Sequence, residues 1–115
     1  MLGGNRLDRV SELLRHEVSQ LLHEEIEREP GVLATVTRVE VSPDLEHANV
    51  YVSILPDDRF QDFFDTLNRS VGHIQQLLNK RLVLEFVPKL RFLPDRTPGQ
   101  AAAIERLLDT LDDLR

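Results

Sequence analysis

Arg69, Lys80, Arg81, Lys89 and Arg91 are the residues whose type and spacing best suit chemistry, and that chemistry is phosphate recognition. An arginine presents a planar fork of donors that matches phosphate bidentately, and a lysine adds a mobile point charge. Arg6 and Arg9, three apart near the N-terminus, can join the set. Beside Arg69 stands Ser70-Val71-Gly72, a small-residue interruption in a long helical pattern. A glycine in an exposed helix interior costs roughly 1 kcal/mol against alanine, so Gly72 marks either a bend or tolerated noise. The plainer alternatives are that Arg6 and Arg9 are solvated and that Lys80 and Arg81 only complement a helix dipole.

A net charge of −6 argues at first against a polyanionic partner. The distribution changes that. Residues 1–68 carry 6 Arg against 14 acidic residues, a net −8, whereas residues 69–96 are +4 and residues 97–115 are −2. A polarised acidic chain can still present one basic surface, although the charges could also simply have fallen this way.

Other chemistries find little support. His23-Glu24 begins like a zinc-protease motif, but position 27 is Glu where the second His of H-E-x-x-H belongs. His16 and His23 are seven apart and read as a solvated pair. There is no cysteine, and no nucleophile elbow, phosphate loop or dinucleotide fingerprint. Glu24, Glu25, Glu27 and Glu29 read as a solvated helix end. No metal or cofactor is expected. An enzyme survives only as a small hydrolase whose site is assembled in space. The apolar runs fall far short of the ~20 residues that span a bilayer, and no secretory leader is visible. The expectation is a soluble cytoplasmic monomer with no membrane partner.

The elements that must position the basic residues follow from periodicity. Leu7, Val10, Leu14, Val18, Leu21, Leu22 and Ile26, widened by Leu13, predict a helix over Asn5–Glu27, with a frayed acidic end stopped by Pro30-Gly31. Leu33–Val41 and His47–Leu55 are β-rich and joined by the turn Ser42–Glu46, which predicts an antiparallel hairpin. In the first strand, Thr37, Val39 and Val41 alternate with Val36, Arg38 and Glu40. In the second, Ala48, Val50, Val52 and Ile54 share a face opposite Asn49, Tyr51 and Ser53. Tyr51 and Arg38 then lie on the wetter face, where a lone tyrosine is more often packing than a base-stacking platform.

Pro56-Asp57-Asp58 offers an N-cap to a helical stretch Phe60–Arg81, with apolar residues at Phe60, Phe63, Phe64, Leu67, Val71, Ile74, Leu77 and Leu78. A third strand is expected over Leu82–Leu93, with Leu84 and Phe86 on the face of Leu90 and Phe92. Pro88 makes it an edge strand or bulges it. Thr97-Pro98-Gly99-Gln100 reads as a capping box opening a final amphipathic helix. Residues 1–115 are expected to form a single domain, with 1–4 and 112–115 loose. The expected fold class is α+β, a three-stranded sheet with helices on one face.

This order matches the KH class of single-stranded RNA readers, in which a tight turn between two helices clamps the nucleotide backbone. No two glycines here are three apart, so G-x-x-G is missing, and Ser70-Val71-Gly72 occupies its place. The resemblance can be narrowed. Arg9-Val10, the run Thr35–Leu45 with Ala48–Ser53, Leu67–Gly72 and Val87–Phe92 stand in an order that resembles the bacterial ribosome-binding factor A family over about residues 6–111. The resemblance implies a KH-like (type II) fold, α-β-β-α-kink-α-β-α, in which an Ala-x-Gly kink replaces G-x-x-G. This chain has Ser70 where that family usually has Ala. A serine hydroxyl can bond back one turn and bend a helix, so a sharp bend is expected within Arg69–His73.

The resemblance further implies a non-catalytic factor for ribosome biogenesis. It would bind the small ribosomal subunit, with its rRNA and ribosomal proteins as partners, during late maturation, with links to rRNA precursor processing and cold adaptation. Many members of that family have a longer basic C-terminal tail. With its acidic end at Arg115, this chain is expected to lack that source of affinity. The rival expectation is a protein-interaction module whose acidic first helix and hairpin bind basic ribosomal proteins without RNA contact.

Overall fold

The computed structural model describes residues 6–26, 31–84 and 86–95. The final helix expected from Thr97, the ends at 1–4 and 112–115, and positions 5 and 27 lie outside them. Helix α1 spans Arg6–Glu25, strand β1 Leu33–Val41, strand β2 His47–Leu55, helix α2 Phe60–Arg69, helix α3 Val71–Arg81 and strand β3 Lys89–Pro94.

Leu14, Val18, Leu21 and Leu22 repeat every three or four residues, and α1 buries all four. Leu13 falls on the shoulder of that stripe and is exposed. Gly31 follows with φ +85°, a left-handed conformation that favours glycine. The sheet order is β1-β2-β3. β1 and β2 pair antiparallel from Leu33↔Leu55 to Val41↔Ala48. β3 pairs parallel with β2, from His47↔Lys89 to Val52↔Pro94. A parallel partner needs a crossover, and the α2–α3 pair supplies it. Ala48, Val50, Val52 and Ile54 point into a core completed by Leu14, Leu21, Leu67, Ile74, Leu78, Leu90 and Phe92. The other sheet face carries Thr35, Arg38 and Glu40, exposed, beside half-buried Asn49, Tyr51 and Ser53.

Three expectations need correction. First, simple alternation put Val36 with Arg38 and Glu40. The ladder instead slips between Val36 and Arg38, leaving Thr37 as a bulge. Val36 is therefore buried together with half-buried Ala34, Val39 and Val41, while Thr37 is exposed. Secondly, the third strand is six residues long, not twelve, because ladder pairing begins only after Pro88. Val83 is 99% and Phe86 77% exposed, so Phe86 does not share the face of Leu90 and Phe92. Thirdly, neither Asp57 nor Asp58 caps α2. A 3-10 turn over Asp57–Arg59 leads into the helix, with the Arg59 N–H donating to the Pro56 carbonyl at 3.0 Å and no side-chain cap.

Candidate nucleic-acid interface

The long apolar pattern is two helices separated by one residue. Phe60, Phe63 and Leu67 anchor α2, Ile74 and Leu78 anchor α3, and Ser70 stands between them with φ −94° and ψ −1°. The Ser70 N–H is shared between the Thr66 and Leu67 carbonyls, both at 3.1 Å, and its hydroxyl donates to the Thr66 carbonyl at 2.9 Å. The hydroxyl thus bonds back one turn, as the sequence suggested. The break sits at Ser70, inside the expected Arg69–His73 window. Gly72 lies beyond it in the first turn of α3, exposed.

The candidate residues do not converge on one patch. Arg69 ends α2 and donates to Thr66 Oγ1 at 3.1 Å. Arg69, Ser70 and Gly72 therefore surround the corner, while Lys80 and Arg81 stand in the last turn of α3. Lys89 and Arg91 alternate with buried Leu90 and Phe92, which places them on the open sheet face, away from the helices. Arg6 and Arg9 are exposed at the start of α1, and Arg6 lines a cleft of about 610 Å³ with Val10, Leu45, Leu84 and Phe86. Asp44 and Glu46 on the same cleft give it a rim that repels phosphate. The Ser42 hydroxyl, then the Glu46 backbone N–H, hold the Asp44 carboxyl below its ordinary pKa.

Two features lay beyond sequence reasoning. The acidic end of α1 is not merely solvated: Glu24 accepts from Arg81 at 2.5 Å, and Glu25 lies 3.1 Å from His73 Nε2. On the open sheet face the Arg38 guanidinium stacks 4.0 Å from the centre of the Tyr51 ring, and the Tyr51 hydroxyl donates to Glu40 at 2.6 Å. The hydroxyl bond to Glu40, with burial adding to it, raises the Tyr51 pKa. A Tyr51 ring covered by Arg38 offers that face to no base. The signal for this contact was cross-strand pairing, since Arg38 and Tyr51 are register partners. The bulge at Thr37 hid it. Among the described residues no group of three or more His, Asp or Glu could hold a metal ion.

A three-stranded mixed sheet with helices on one face, a crossover made of two helices and a one-residue corner between them define a KH type II-like α+β protein. Ribosome-binding factor A from Thermus thermophilus shares the fold, with a TM-score of 0.66 at 22% identity over 78% of this chain and 97% of that one. The chain belongs to the ribosome-binding factor A family, whose model matches residues 6–108. Its relative from Hyphomonas neptunium, also a ribosome-binding factor A, is 36% identical over 114 residues, covering 94% of this chain and 84% of the relative. It also resembles coordinates of the Thermus thermophilus factor fitted into a cryo-electron-microscopy map of a 30S complex. That likeness has a TM-score of 0.53 and 28% identity, over 70% of this chain and 90% of that one.

Proposed function

We propose that this chain is a non-catalytic assembly factor that binds the small ribosomal subunit and its rRNA during late maturation, in step with rRNA precursor processing. The family match over residues 6–108 carries the reading. The relative fitted to a 30S complex supports the choice of partner. In this reading Arg69, Ser70 and Gly72 meet the phosphate backbone at the corner, and Lys80 and Arg81 extend the contact along α3. Lys89 and Arg91 form a separate row on the open sheet face. Arg6 and Arg9 reach a different segment of the same partner. The protein works as a single copy in the cytoplasm, where subunits mature. Among the described residues no helix is long and apolar enough to cross a membrane.

Sedimentation on a sucrose gradient at low salt, from cells growing in the cold, tests this. The protein is expected in free small-subunit fractions, and its absence from them would sink the reading. Charge reversal at Arg69 together with Arg81 is expected to release it. Retention of the doubly reversed variant on the subunit would favour the acidic protein-interaction module instead.

A further inference from the structure

Two polar side chains of α3, Arg81 and His73, already meet carboxylates from α1. Arg81 Nη2 donates to Glu24 Oε2 at 2.5 Å, and His73 Nε2 lies 3.1 Å from Glu25 Oε1. His73 and Arg81 share one stripe of α3 with Leu77, about 12 Å apart along the axis at 1.5 Å per residue. The end of α1 reaches across that stripe and its consecutive carboxylates serve the two ends. A carboxylate on a guanidinium reproduces the donor–acceptor geometry of a phosphate there. The pairs are also open to water, with Arg81 and Glu24 side chains 32% and 50% exposed. Ion pairs this exposed contribute little to stability and exchange readily. Nor does α1 itself favour acids at its C-terminus, where its dipole opposes them. The arrangement is therefore better suited to screening a binding surface than to holding the fold together.

We propose that Glu24 and Glu25 are specificity-determining residues of the RNA interface: they occupy the phosphate positions on α3 and yield only to a ligand that makes other contacts at the same time. The inference rests on the RNA-binding reading above. An unselected single strand offers phosphates alone. It must break both pairs and then lie beside two displaced carboxylates. A folded rRNA site that also engages Arg69 and the Ser70–Gly72 corner offsets that cost. The carboxylates thus weaken generic binding more than intended binding.

The test compares a fluorescein-labelled oligouridine with purified small subunits, using the wild type, the Glu24→Gln/Glu25→Gln variant and Glu12→Gln. Glu12 pairs with Arg15 on α1 itself at 2.9 Å, so its loss removes one negative charge, half that of the double variant, away from α3. The double variant should bind oligouridine about fivefold tighter, the scale of two exposed pairs. Its subunit affinity should change less than about twofold, and Glu12→Gln should change neither. Adding Arg81→Gln should shrink the oligouridine gain. Oligouridine binding no tighter than wild type (undetectable binding included), a gain of about twofold or more from Glu12→Gln, or equal gains on both ligands would each overturn the proposal. A wild type that fails on subunits yet shows the oligouridine gain in the variant overturns the function reading and the selectivity claim, and leaves only a screened anion site.

Discussion

Gly72 has no left-handed φ, and a Cβ built on it would meet nothing within 4 Å. The fold therefore does not require glycine at this place. Gly72→Ala is expected to stabilise the protein by about 0.5–1 kcal/mol, since alanine is the better helix former and loses less backbone freedom. The same methyl stands on the exposed corner. If the corner meets an RNA backbone closely, subunit binding falls while the melting temperature rises, and thermal denaturation beside cosedimentation separates the two effects. Tyr51 carries a second prediction. Its hydroxyl bond to Glu40 raises its pKa, so its contribution to stability is complete below the ordinary value of about 10 and is lost as pH rises through the raised one. As the sole tyrosine in the chain it can be followed by tyrosinate absorbance. It should ionise at higher pH folded than denatured, and Glu40→Gln should bring the two titrations together.

At the scale of elements, the bulge and the α3–β3 connection matter most. Removing one residue from a strand ordinarily swaps its faces. Thr37 is the exception, because the ladder runs from Val36↔Val52 to Arg38↔Tyr51 without it. Deleting Thr37 is expected to preserve the near-ultraviolet circular dichroism and cost only its hydroxyl bonds to the Tyr51 carbonyl and the Asp95 carboxylate. Deleting Val39 would turn Glu40 inward and leave little folded protein. Gln75 is the other key residue. It accepts the Leu90 N–H at 2.8 Å and donates to the Pro88 carbonyl at 3.1 Å, fixing where β3 begins. Gln75→Ala strands both partly buried backbone groups and should cost about 1–3 kcal/mol in urea denaturation. The β-rich runs made the bounds of both hairpin strands legible to the residue, though alternation mis-set the face of Val36. Periodicity overextended β3, because an apolar run with a proline in it does not show where pairing starts.

For the whole molecule the decisive quantity is where charge lies in space. If Arg69, Lys80 and Arg81 are the cations that meet single-stranded rRNA, the logarithm of affinity should fall with the logarithm of salt at a slope of about −2, and Lys80→Ala should reduce it by about 0.7. A slope near zero in a salt titration would remove these residues from the interface. The basic residues were legible as a set in the sequence, but their grouping was not. Strand alternation sends Lys89 and Arg91 to the face opposite the helices, and helix crossing brings Glu24 to Arg81 over 57 residues of chain.

By itself the sequence determined the order of elements from α1 to β3, the core stripes of the helices and of β2, and the break near Ser70. These depend on local periodicity and on one residue bonding to its own preceding turn. It also carried enough ordered motif to indicate the family. Only the tertiary structure decided which face Val36 takes, which side chains of α3 the end of α1 meets and that Arg38 covers Tyr51. Each of these depends on register or helix crossing, where groups distant along the chain meet and local pattern carries no information.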